Sequence, residues 1–292
     1  MTKSRTRTIS VACLNIAMGV PHSPARYLAM MRDAFSLRAV VPVGGVYGAL
    51  IGSLHVAEPE DPRNDVTGEI YRFLKLDPNE PWFNAETREA ATAKELRQIS
   101  IPEHLLPHLQ RIPFVFRPKV HRLYFVARDR KDSLAPSTAK LLFEAVLNRL
   151  TNELNYPPFE VTVRPDKGAL DEVLSLASLE HIVIDLVPPN ADDGHAEQER
   201  WKKKLKAQNV RRQTLRLDGL RNESIKPDKD TLELARVASH NGKVTASGHD
   251  LNGMKQELST TDRPLIERVL VNPEVETVML ALKRTADVLG TE

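Results

Sequence analysis

The side chains of this chain best able to do chemistry with a ligand are cations. Between Trp201 and Arg216 (WKKKLKAQNVRRQTLR) stand Lys202, Lys203, Lys204, Lys206, Arg211, Arg212 and Arg216. On a helix, Trp201, Leu205 and Gln208 fall on one side, while Lys202 and Lys206, four apart, share another. Such a helix packs an apolar stripe and turns ammonium groups to solvent, where a row of them can neutralise phosphates along a nucleic acid. A plainer reading competes with this one. Glu197 and Glu199 at the helix start, with lysines at its end, complement the helix dipole. A second basic run, Arg117, Lys119, Arg122, Arg128, Arg130 and Lys131, borders strand-like sequence with Phe116, Tyr124 and Phe125. Aromatic side chains on a sheet can stack bases, although they are more often core. The expected nucleic-acid contacts are Lys202, Lys203, Lys206, Arg211 and Arg212, with Arg117, Lys119 and Arg122. DNA is expected ahead of RNA, without sequence preference.

The charge distribution gives these runs their meaning. The 292 residues carry a formal net charge of only +2. Residues 111–135 hold seven bases and two acids, and residues 201–221 hold eight bases and one acid. Residues 136–200, by contrast, hold five bases and twelve acids. Local stripes of this kind matter more for polyanion binding than the overall charge.

Other constellations are weaker. His104 and His108 stand four apart after Glu103 and could share a metal on an undistorted helix, but Pro107 lies between them. A surface turn is preferred, and no metal or cofactor is expected. Gly44, Gly45, Gly48 and Gly52 have no following Gly-Lys-Ser/Thr and sit between apolar strand-like stretches, so they read as a hairpin rather than a phosphate loop. Cys13, the single cysteine, lies in an apolar strand, where a buried inert thiol is the default. The pairs Asp192/Asp193 and Asp228/Asp230 sit in turn-rich sequence and read as solvated turns and caps. No nucleophile elbow is present. The basic run Met1–Arg7 followed by moderately apolar residues resembles a leader, and Ser10–Cys13 resembles a lipoprotein cleavage site. The apolar part before Cys13 is too short for a signal core. A strand is expected there instead, and with it a cytoplasmic protein.

These side chains need elements to place them. Strands are expected at Thr8–Ala17, Leu37–Val43, Tyr47–Val56 and Gly68–Leu76, with a helix over Pro24–Phe35 capped by Ser23. Residues 57–67 and 76–113 read as irregular connection, with a short helix at Pro102–Leu109. From 112 onward strands alternate with helices: Phe114–Phe116, Val120–Ala127, a helix from Ser137 to Leu154, Phe159–Val163, Lys167–Leu176, His181–Val187, Ala196–Gln208 and Gln213–Leu217. That alternation predicts an α/β layer. Asp230 and Glu233 have capping-box spacing before a helix to Ser239. Asn252-Gly253 marks a hairpin, and a helix over Pro273–Leu289 follows. The expected class is α/β (α+β mixed), a central mixed sheet with packed helices plus a C-terminal β-hairpin and helix. The expected regions are 1–111, 112–221 and 222–292. The row Val278, Leu282 and Leu289 is expected to serve a homodimer.

The stretches Gly68–Asn84 (GEIYRFLKLDPNEPWFN) and Pro102–Phe125 (PEHLLPHLQRIPFVFRPKVHRLYF), with Phe159–Leu170 and Pro227–Pro264, resemble an uncharacterised bacterial family, a domain of unknown function. The most telling pieces are Pro81-Trp82-Phe83-Asn84 and His121-Arg122-Leu123. The resemblance implies no activity. More distantly, the order of elements is similar to that of the RexA-like phage-exclusion proteins. This implies DNA binding as a homodimer and a phage-defence setting; a second defence protein is a further expected partner, and with no apolar run approaching roughly 18 residues no membrane span is expected. The leading expectation is a non-enzymatic nucleic-acid-binding protein. The alternatives are a nuclease or nucleotide-acting enzyme with a dispersed site, and a scaffold for a partner protein.

Overall fold

A computed structural model describes residues 6–57, 61–76, 80–102, 104–188 and 196–290. Strands in chain order are β1 (Arg7–Met18), β2 (Val41–Pro42), β3 (Tyr47–Val56), β4 (Val66–Leu74), β5 (Phe83–Asn84), β6 (Glu89–Ala90), β7 (Gln110–Arg117), β8 (Arg122–Asp129), β9 (Asp132–Ser133) and β10 (Phe159–Val163), then β11 (Ser178–Leu186), β12 (Gln213–Asp218), β13 (Gly242–His249), β14 (Lys255–Ser259) and β15 (Glu267–Val271). Helices are α1 (Pro24–Ser36), α2 (Ala93–Leu96), α3 (Pro136–Leu154), α4 (Ala169–Leu174), α5 (Ala196–Ala207), α6 (Lys229–His240) and α7 (Val278–Gly290). The α+β class expected from the sequence is what the chain adopts.

The large sheet has the order β10-β1-β8-β7-β4-β3-β2, with β15 also on β1 and β9 on β8. β1 is its organiser. Its first half pairs with β15 (Arg7 opposite Val271), its second half with β10 (Leu14 opposite Val163), and its other edge with β8. Because side chains alternate along a strand, β1 feeds two cores. Ala12, Leu14, Ile16 and Met18 point toward α1 and α3, while Ile9, Val11 and Cys13 point toward α7. β8 divides the same way, with Leu123 and Phe125 on one side and Tyr124 and Val126 on the other. Strands buried on both faces explain the unbroken apolar runs in the sequence.

α3 presents Ala139, Leu142, Phe143, Val146, Leu147 and Leu150 to the first core and stops at Asn155, which takes the left-handed conformation at φ 55. Phe143 meets Phe114 of β7 edge-to-face at 6.4 Å. Pro24 opens α1, whose Ser23 cap accepts from the Arg26 amide.

The small sheet, β12-β11-β13-β14, carries α4, α5 and α6 on its own core. β11 is interior, as its apolar run predicts. The expected alternation of 112–221 nevertheless does not build one layer. β7, β8 and β10 join the large sheet, β11 and β12 the small one, and every pairing between named strands is antiparallel. Residues 37–43 form only the two-residue β2. Gly44 (φ 100) and Gly45 (φ 51) make the turn to β3, the hairpin that the glycine spacing predicts. The described residues of 102–109 form no helix; His108 sits at φ 61, and the short helix of that region is α2, closed by a Thr92–Glu95 capping box. α3 begins at Pro136 rather than after Ser137. α6 is capped by Asp228, not Asp230, through the Thr231 amide. No helix among the described residues is long and apolar enough to cross a membrane.

Candidate nucleic-acid interface

α5 forms where its pattern predicts, and its inner side is fixed by two residues. Trp201 and Leu205 are buried against the small sheet. The indole nitrogen donates to Glu233 at 3.2 Å, and Arg200 donates to the other oxygen of the same carboxylate at 3.0 Å. Glu233, expected in a capping box, is instead a buried acceptor between α5 and α6. With that side anchored, the lysines must face outward.

Their circumstances differ. Lys203 and Lys206 are exposed, and among the described residues neither has an ion-pair partner within 4.0 Å. Lys204 lies over the Trp201 ring at 4.2 Å. Lys202 is half-buried and pairs with Glu199 at 3.5 Å. Arg212 pairs with Glu160 of β10 at 3.2 Å, and Arg211 reaches the same carboxylate at 3.9 Å. Arg216 binds Asp218. The seven cations of the stretch are thus offset by three carboxylates, and the free charge is concentrated on the outer side of α5.

The second basic run divides. Arg128, Arg130 and Lys131 are at the far end of β8 from Arg122, about 20 Å away at the ordinary rise per strand residue. Lys119 is exposed in the turn from β7 to β8. Arg117 and Arg122 have structural work. Arg117 donates to the Ala286 carbonyl at 2.8 Å and pairs with Asp287 and with Asp65. Arg122 reaches the Leu289 carbonyl at 3.5 Å, and Arg164, which the sequence analysis did not single out, donates to the same oxygen at 2.9 Å. Three guanidinium groups thus converge on the negative end of α7. Burial opposes the charge on Arg117, but the Asp287 and Asp65 carboxylates outweigh it and hold its pKa above the ordinary value. Phe116, Tyr124 and Phe125, considered as base-stacking groups, are fully buried core. Burial also pushes the Cys13 thiol up to about 11, against the pull of Arg164, Arg122 and Arg117, so it is an inert core group at neutral pH.

The two sheets join beside Arg122, which stands opposite Asn15 of β1. Asn15 of β1 donates to Asn241 at 3.3 Å, and Arg212 reaches Glu160 across the same junction. His121, in the β7–β8 turn at φ 56, stacks on Tyr27 with ring centroids 4.2 Å apart. Burial, followed by the charges of His22, Lys202 and Arg122, depresses its pKa to about 3. The middle of α5, at Lys202, is therefore close enough to the β7–β8 turn for its charge to act on His121.

The remaining candidates are not brought together. His104 is exposed, and His108 contacts Gln110 at 3.0 Å. Asp230 meets Arg200, while Asp192 and Asp193 lie outside the described residues. Among the described residues no three His, Cys, Asp or Glu side chains cluster as a metal site.

The family model for a domain of unknown function, DUF4747, matches residues 7–287. The chain belongs to the DUF4747 family. That match takes in all of β1 through β15 and most of α7, so both sheets and the junction between them lie within the DUF4747 domain. No curated protein matches the chain.

Proposed function

We propose that this DUF4747 protein is a non-enzymatic nucleic-acid-binding protein that grips the phosphate backbone, without sequence preference, through the outer side of α5. One observation carries the reading. Lys203 and Lys206 are exposed and free of carboxylates on a helix whose opposite side is locked by Trp201 and Leu205. Lys204 and the loosely paired Arg211 extend that surface. Arg117 and Arg122 are dropped from the contact set because α7 engages them. The setting we propose is phage exclusion, on the similarity in element order to RexA-like proteins.

A gel-shift titration on duplex DNA tests the reading. Four phosphate contacts, from Lys203, Lys204, Lys206 and Arg211, give a slope of log affinity against log salt of about −3 to −4. Lys203→Glu with Lys206→Glu should remove the retarded complex while leaving the fold intact. Absence of any complex at low salt with micromolar wild-type protein would refute the proposal.

A further inference from the structure

The two faces of the large sheet are covered unequally. α1 and α3 bury one face across β1, β8, β7, β4 and β3. On the other face the only helix among the described residues is α7, and its core involves β1, β7, β8 and β15. Beyond it, the same face of β3, β4 and the start of β7 belongs to neither core. The register sets its rows: Leu50, Tyr71 and Arg111; Ser53, Glu69 and Pro113; His55 and Thr67. Arg111 and His55 are exposed and the other six are half-buried, with the Ser53 hydroxyl shielded, whereas Ala49, Ile51, Ile70, Ile112 and Phe114, on the opposite face of the same strands, are all buried.

This strip is shaped at both ends. At one end the Tyr71 ring lies flat on the strand. A Cβ on Gly52 would fall 2.2, 2.3 and 2.4 Å from its Cγ and two Cδ atoms, which places the ring face directly over the glycine. Gly52 stands at the one register shift of the β3–β4 pair, and no other residue leaves room for that ring. Arg111 is an exposed residue, and its guanidinium carbon lies over the ring, 5.6 Å from the centroid. At the other end, about 20 Å along β4, a pocket of about 520 Å³ opens between α7 and the β3–β4 connection. Its walls include Lys119, Lys283 and Arg63, with Asp65 and Asp287 already engaged by Arg117. Lys119 and Lys283 have no ion-pair partner among the described residues.

We propose that this strip is a binding track for single-stranded nucleic acid, separate from the α5 surface. A base displaces the exposed Arg111 side chain from over the Tyr71 ring and stacks there, with the guanidinium at its edge, and phosphates enter the pocket at Lys119 and Lys283. A flat aromatic ring bordered by an arginine, leading to a cationic pocket, is the combination that single strands use. A duplex cannot use it, because its bases are already stacked. Glu69, midway, repels phosphate and confines the backbone to the two ends, where the cations are.

The test is fluorescence anisotropy with a labelled single strand and the matching duplex. Tyr71→Ala should weaken single-strand binding about ten-fold or more. Tyr71→Phe should restore it, and Lys283→Glu should weaken it and flatten its salt dependence. All three should leave duplex binding unchanged. Conversely, Lys203→Glu with Lys206→Glu should abolish duplex binding and leave a single-strand complex that still depends on Tyr71, so the α5 reading and the track fail separately. Arg111→Glu, a change at an exposed position, repeats the test should Tyr71→Ala not fold. No single-strand binding by the wild-type protein would overturn the track. So would an unchanged affinity in the Lys283 and Arg111 variants, or a Tyr71→Phe variant as weak as Tyr71→Ala.

Discussion

The two basic runs are nearly equal in composition and opposite in fate. Arg117 and Arg122 sit on strands of a sheet covered by α7, and their cations are consumed by that helix's last carbonyls and by Asp65 and Asp287. Lys203 and Lys206 sit on a surface helix whose inner side is already fixed, and their charges are left to solvent. A cation's availability is decided by which carbonyls and carboxylates the fold brings to it, not by how many cations surround it in sequence.

That contrast can be broken by substitution. The largest effect is expected at Leu282, fully buried between α7 and the sheet. Leu282→Ala should cost about 3 kcal/mol of unfolding free energy in a urea titration. Leu280→Ala, on the exposed side of the same helix, should cost under about 0.5 kcal/mol. Next comes Arg117→Ala, which leaves the Ala286 carbonyl and the Asp65 carboxylate without their donor. About 2–3 kcal/mol is expected, visible as a fall in melting temperature. Lys203→Ala should fall within about 0.5 kcal/mol of wild type. If the two cations cost the same, the distinction between engaged and free charge fails.

A pH titration sharpens the comparison at the junction. His121 in the folded state binds its proton only near pH 3, whereas the unfolded imidazole binds it near 6.5. The unfolded state therefore takes up protons first, and stability is lost as pH falls below 6.5. Between pH 6.5 and 5 the wild-type protein should lose about 1–2 kcal/mol more than His121→Asn, which tolerates the same backbone. Parallel curves for the two proteins would show that His121 is not the group responsible. The smallest effect is expected at Lys202→Ala. Removing its charge from beside His121 should raise the imidazole's pKa slightly, an upward drift followed by NMR.

Leu282 and Leu289 are buried, and Val278 is packed, in the core beneath α7 of the same chain, and the β13–β14 hairpin is stitched to β11. The apolar row expected to serve a homodimer is therefore used within one chain.

Much of the architecture was legible because apolar periodicity reports burial directly. β1, α1, α3 and β11 follow from it within a few residues. Sheet membership did not. β10 and β11 are neighbours in sequence with similar apolar patterns, and nothing local says that one pairs with β1 and the other with β13. The pairing is decided by contacts far along the chain. At the candidate site the outward side of α5 was readable from Trp201 and Leu205. The capture of Arg117 and Arg122 was not, since their partners lie on α7 more than 160 residues away. Gly52 inside a strand pattern was a signal available from sequence. Its occupant, Tyr71, could be recognised only once the β3–β4 register was known.

The pairing of β1 with β15 has a consequence in time. Arg7 and Val271 are more than 250 residues apart. At roughly 5–20 residues per second of synthesis, the first strand waits about ten to fifty seconds for its last partner. Until then the edge and the Ile9, Val11 and Cys13 face that β15 and α7 will cover stay exposed. A ribosome-bound chain should therefore remain protease-sensitive near its N-terminus until β15 has emerged, then gain protection in one late step. Arrested chains ending before and after residue 271, digested briefly and sized, would show that step.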